Sequence, residues 1–197
     1  WNGQSLQALA PAARLKKGVA RTFQVAQVFE ALTVLQNVQL TLQAVAGPGA
    51  ISAFKSLDSR SRQEAAVLLG QTGLEALAGE DVLSLSYGAK KRLELALALA
   101  GSPKLLLLDE PAAGLADEER ASLMLLVKRL AGQGMAVLYT AHNMDAVAGV
   151  AGRVPVLFCG RLCSPGPFEA GSRVSPVPLL SLGQVRRAPA GGGAAPP

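Results

Sequence analysis

The chain has 197 residues, enough for one domain with a substantial core, and it is half hydrophobic but only 4% aromatic, so Leu, Ala and Val must fill that core. No apolar run approaches the roughly 18 residues of a membrane span and no stretch reads as a secretory signal; the start at Trp1 rather than Met suits a fragment or a processed product. The formal charge of +5 has its adjacent clusters only at Lys16-Lys17, Lys90-Lys91-Arg92 and Arg186-Arg187, without interleaved aromatics, which reads as solvated surface and not as a nucleic-acid groove.

In chain order, Pro11 suits the first turn of a short helix through Lys17, ended by Gly18. Val19–Phe23 reads as a strand leading to Gln24. Thr33 is a good N-cap for an amphipathic helix from Val34 to about Val45, closed by Gly47-Pro48. Residues 48–60 read as a mobile connection, and Ser61–Leu69 and Leu74–Leu77 as helices separated by Gly70 and Gly73. From Ser86 onward helix and strand alternate, the rhythm of a parallel sheet. A helix is expected over Tyr87–Ala100, stopped by Gly101-Ser102-Pro103, then a strand over Leu105–Leu108 and a turn through Ala112–Ala116. Asp117-Glu118-Glu119 place acids at the positive end of the next helix, whose Leu123, Leu126, Val127 and Leu130 share one face. Met135–Thr140 is expected as a second buried strand, Met144–Ala151 as a short helix and Val154–Phe158 as a third strand. Pro155 cannot donate to a ladder, so that last strand belongs at an edge or an irregular position. Cys159 and Cys163, with His142 well upstream, do not close a structural zinc site and read as buried or incidental thiols in a reducing compartment. Residues 186–197, rich in Ala, Gly and Pro, read as a disordered tail.

Two segments carry the chemistry. Leu85-Ser86-Tyr87-Gly88 puts a hydroxyl and a glycine at a helix start, where free backbone N–H groups and the helix dipole favour a phosphate. Leu105–Leu108 is a buried strand ending in Asp109-Glu110-Pro111, two carboxylates suited to a metal ion and a polarised water. Singly, Ser86 is an ordinary cap, the acids are a polar strand end, and His142 and Gln24 are unremarkable polar groups. Their joint order is specific: a Gln after Arg21-Thr22-Phe23, a Ser-x-Gly helix start, an apolar strand with twin acids, then a His after another apolar strand.

In that order and spacing the chain resembles the ATP-binding-cassette (ABC) ATPases. Ala20-Arg21-Thr22-Phe23-Gln24, Phe29–Val34, the Tyr87 of the signature segment, Pro111–Leu115 and the run from Gly152-Arg153-Val154 through Gly160-Arg161 are similar to the LivG-type branch. That branch serves importers of branched-chain amino acids and, in near relatives, urea or amides. The resemblance covers about residues 1–185 and implies an α/β fold, a partial P-loop NTPase with a mostly parallel sheet flanked by helices and a helical subdomain at about 34–84. It implies ATP and Mg²⁺ as cofactors, a second ATPase subunit as a head-to-tail partner, permease subunits, and a peripheral place on the cytoplasmic face of the inner or plasma membrane. Asp109 would hold Mg²⁺ through water, Glu110 would polarise the attacking water, and His142 would touch the γ-phosphate. Gln24 would reach the metal and the lytic water. Ser86, Tyr87 and Gly88 would form the tip that meets a nucleotide held by the other protomer, with Ala112–Asp117 crossing the interface.

The sequence also departs from the pattern. No G-x-x-x-x-G-K-[ST] run exists here, so the segment alone is expected to bind ATP weakly or not at all. Ala89, Ala116, Ala141 and Asn143 replace residues more usual in this branch. Without the N-terminal strands an unpaired sheet edge and some exposed apolar surface are expected. Two other readings stand beside transport: a soluble ABC ATPase outside transport, such as a DNA-repair or translation factor, and a catalytically incompetent binding piece.

Overall fold

The computed structural model describes residues 1–23, 27–47, 59–141, 150–158 and 161–167. Pro11 occupies the first turn of α1 (Pro11–Lys16), and Gly18, at φ +78°, turns the chain into β1 (Val19–Arg21). The Gly18 carbonyl accepts from the N–H groups of Lys104 and Leu105, at 2.8 and 2.9 Å, which sets the start of β1 beside the next strand. Helix α2 (Val34–Ala46) begins with a capping box: Thr33 Oγ1 accepts from Gln36 N, and Gln36 Oε1 accepts from Thr33 N. Helix α3 (Ser59–Thr72) runs through Gly70 instead of stopping there. A Cβ on Gly70 would lie 2.5 Å from Glu75 Oε1, so this glycine serves a close approach and not a break.

Helix α4 (Tyr87–Leu99) is capped by Ser86, whose Oγ accepts from Ala89 N at 3.2 Å. Strand β2 (Leu105–Leu108), helix α5 (Asp117–Gly132) and strand β3 (Ala136–Tyr139) follow. The sheet is parallel in the order β1-β2-β3, with Ala20 opposite Leu106 and Leu108 opposite Tyr139. Strand β1 stops two residues short of the expected Phe23. β3 is also not the buried strand expected over Met135–Thr140: Ala136 and Leu138 are exposed, Leu138 by 54%, because no element described covers that face.

Two apolar clusters meet at α4. Leu95 and Leu99 pack with Leu106, Leu108, Leu126 and Leu130 against the sheet, whereas Leu93 and Ala96 pack with Val34, Val38, Leu69 and Val82 of the helical layer. A helix that is a wall of two cores must be apolar on more than one side, which explains the dense Leu/Ala run from Leu93.

The chain divides into two compact units, Trp1–Ala151 and Gly152–Pro197. In the second, β4 (Arg153–Phe158) pairs antiparallel with β5 (Arg161–Pro167), and the register shifts between Val154 and Val156. Pro155 thus sits at the irregular position its missing N–H requires, and the strand pairs with β5, a neighbour the sequence did not announce. The expected helix at 144–151 begins among residues outside the described ones. Among the described residues no helix is long and apolar enough to cross a membrane.

Candidate functional site

Parallel strands end together, so the carboxyl edge of the sheet collects the residues that follow β1, β2 and β3. Thr22 N donates to Leu107 O at 2.9 Å and Thr140 N to Leu108 O at 3.0 Å, which brings the flanking strands level with Asp109. Thr140 Oγ1 donates to Asp109 Oδ1 at 2.9 Å and accepts from Glu110 N at 3.0 Å. Arg21 Nη2 lies 3.2 Å from Asp109 Oδ2, and its guanidinium stacks 5.3 Å from the Phe23 ring centroid. Glu110 adopts φ +44°, a left-handed conformation costly for a side-chain-bearing residue, and it falls at the start of a cleft. That cleft is lined by Glu110, Gly114, Arg120, Met124, Tyr139 and Thr140.

The expected pair Asp109 and Glu110 is therefore brought together with two residues to which the sequence assigned no site role, Arg21 and Thr140. A polar residue directly ending an apolar strand was the available signal for each. Ser86, Tyr87 and Gly88 gather elsewhere, at the tip of α4. The Tyr87 ring lies where a Cβ on Gly114 would be 3.3 Å from it, and Glu119 of α5 packs so closely on Gly88 that a Cβ there would meet Oε1 at 2.5 Å. Arg92 braces this tip from below, donating to Thr72 O at the end of α3 and to Ser122 Oγ of α5. Gln24 and His142 follow β1 and β3 in sequence and lie outside the described residues.

Magnesium takes hard oxygen donors and keeps several waters, binding through one or two carboxylates plus phosphate oxygens. Asp109 fits that role as a hard oxygen donor, its carboxylate 39% exposed at the end of β2. Arg21 shares one of its oxygens, so a cation there would compete with a guanidinium. The tip of α4 is a helix N-terminus, which favours an anion, and Glu119 stands beside it.

The profile of a family described as ABC transporter matches residues 1–113. The high-affinity branched-chain amino acid transport ATP-binding protein BraF of Pseudomonas aeruginosa is 30% identical over 175 residues, spanning 85% of this chain and 69% of that protein. LivG of Escherichia coli, of the same description, is 32% identical over 173 residues, spanning 84% of this chain and 68% of that one. Among solved structures, an ATP-binding cassette of an ABC transporter in its ADP conformation superposes with a TM-score of 0.72 at 25% identity, over 85% of this chain and 68% of that chain. A dimeric cassette in a post-hydrolysis state, bound to ADP and Pi, superposes with a TM-score of 0.64 at 26% identity, over 81% of this chain and 68% of that one. The chain thus spans about two thirds of the length of these relatives.

Proposed function

Because the chain belongs to the ABC transporter family, we propose that it is the ATP-hydrolysing, energy-coupling part of an importer whose solute is a branched-chain amino acid or a similar small polar molecule. The observation that carries the reading is the edge of the sheet, where one hydroxyl, Thr140 Oγ1, orients both Asp109 and Glu110. Magnesium, when bound with ATP, supplies neutralisation of the phosphate charge. Asp109 would hold that cation, and Glu110, next in the chain, would accept a proton from an attacking water. Gln24 and His142 are assigned to the metal and the γ-phosphate on their sequence positions. Ser86 and Gly88 offer the α4 tip to a nucleotide held by a second ATPase subunit, the head-to-tail arrangement by which dispersed donors converge only on dimerisation. Residues 34–84 form the helical subdomain in this reading, and permease subunits anchor the assembly at the cytoplasmic face of the membrane. The choice of solute rests on the descriptions of BraF and LivG alone.

The test compares ATP turnover by the chain as it stands with turnover by a version carrying a strand and a G-x-x-x-x-G-K-[ST] loop ahead of Trp1. Turnover is expected only in the second, and Glu110→Gln should lower it by about 100-fold or more. Turnover indifferent to Glu110→Gln overturns the assignment. Nucleotide binding without turnover in both versions favours a binding piece that lends Ser86 and Gly88 to a partner.

A further inference from the structure

Helix α4 carries a feature that neither its capping nor its packing accounts for. Lys91 and Glu94 are one turn apart on its buried side, with side chains only 3% and 8% exposed, and Nζ lies 3.5 Å from Oε2. Both also reach the same residue of another element. Glu94 Oε1 accepts from Phe23 N at 2.7 Å, and Lys91 Nζ donates to Phe23 O at 3.4 Å. The ring of Phe23 is half exposed, so its backbone and not its side chain is what the core holds. Replacing a buried ion pair by apolar residues of similar volume is often neutral or stabilising, so stability alone gives little reason for this pair. Directionality gives one: an acceptor faces the N–H and a donor faces the C=O of a single residue.

We propose that Lys91 and Glu94 are positioning residues that lock the chain entering Gln24 to the helix whose tip is Ser86, so that the two move as one body. The proposal rests on the reading above, in which Gln24 and Ser86 both serve the nucleotide. Any rotation of α4 carries Phe23 with it through two bonds to its backbone. A change at the Ser86 tip is thereby passed to the Phe23 backbone within the same subunit.

Hydrogen exchange at the Phe23 amide in the full 197-residue chain, without nucleotide, tests the lock independently of ATP chemistry. The informative variant is the swap Lys91→Glu with Glu94→Lys, which keeps two opposite charges together but presents a donor to the N–H and an acceptor to the C=O. Exchange at Phe23 should accelerate by about tenfold or more, as loss of a charge-assisted hydrogen bond implies, while amides of Leu106–Leu108 stay protected. Lys91→Arg should retain protection. If the swap fails to fold, Lys91→Met with Glu94→Leu removes both charges together and gives the same readout. Phe23 protection that survives in either double variant overturns the proposal.

In the loop-bearing version the folded double variant should lower kcat by about tenfold with KM for ATP unchanged, since phosphate binding is left alone. Should Glu110→Gln leave turnover intact, the ATPase reading fails while the exchange result stands. Should Glu110→Gln abolish turnover while the double variant leaves kcat unaltered, the positioning role fails.

Discussion

Thr140 shows how much one partly solvated hydroxyl can organise. It is exposed, yet it fixes the peptide of Glu110 at φ +44° and one oxygen of Asp109 at the same time. Water can replace it at such a site, so Thr140→Val should cost stability only about 1 kcal/mol in urea denaturation. Turnover in a loop-bearing version should nevertheless fall by about tenfold, because the Asp109 carboxylate and the Glu110 peptide lose their shared anchor. Equal turnover in Thr140→Val would remove Thr140 from the site. Its neighbour Tyr139 behaves in the opposite way. The phenol oxygen is buried and has no hydrogen-bond partner among the described residues, and burial pushes its pKa above the ordinary value of 10.0. Desolvation of the phenolate makes stability fall as pH rises from the unfolded pKa through the folded value. Because the buried hydroxyl has no partner among the described residues, Tyr139→Phe should be neutral or stabilising by about 1 kcal/mol at pH 7, and it should flatten the loss of stability above about pH 10. A marked destabilisation in a pH series of thermal melts would mean that the hydroxyl has a partner.

At the scale of elements, sequence reading succeeded where the determining groups are neighbours in the chain. Thr33 with Gln36, Ser86 before α4 and the acids opening α5 are local signals, and each helix starts where those residues place it. It failed where a group outside the element decides. Strand β1 looked as though it should continue to Phe23, but the Phe23 N–H leaves the ladder for Glu94, 71 positions away. Gly70 looked like a helix stop, but the side chain of Glu75 makes it a contact point. Asn37 is a residue that no sequence signal marks: it is fully buried, its Oδ1 accepting from Phe29 N and its Nδ2 donating to Phe29 O and Thr33 O. It thereby staples the loop that leads from β1 into α2. Asn37→Leu should cost about 2–3 kcal/mol by leaving buried backbone groups unpaired, against about 1 kcal/mol for Thr33→Ala at the cap. Chemical denaturation of the two variants orders them, and a smaller loss for Asn37→Leu would show that the loop is held by packing alone.

On the scale of the whole molecule, the alternation from Ser86 onward was enough to identify a parallel sheet with helices, because each crossover needs a helix of its own. What alternation cannot reveal is which faces end up covered. Parallel strands are normally buried on both sides, and the apolar run at 135–140 was read on that rule. In β3 the rule holds for one face only. Leu138 is 54% exposed, Ala136 is exposed beside it, and among the described strands β3 is one of the two outer members of the sheet. An outer strand with an apolar face and free backbone groups invites pairing with another chain. The chain should accordingly self-associate as its concentration rises, through this strand. Leu138→Lys places a charge on the exposed face without touching either core cluster, so the folding free energy should shift by less than about 0.5 kcal/mol. Association measured by sedimentation velocity should decline in the same variant. If Leu138→Lys associates as readily as the parent chain, the attraction lies on another surface, and the uncovered face of β3 is an ordinary exposed strand that carries no liability.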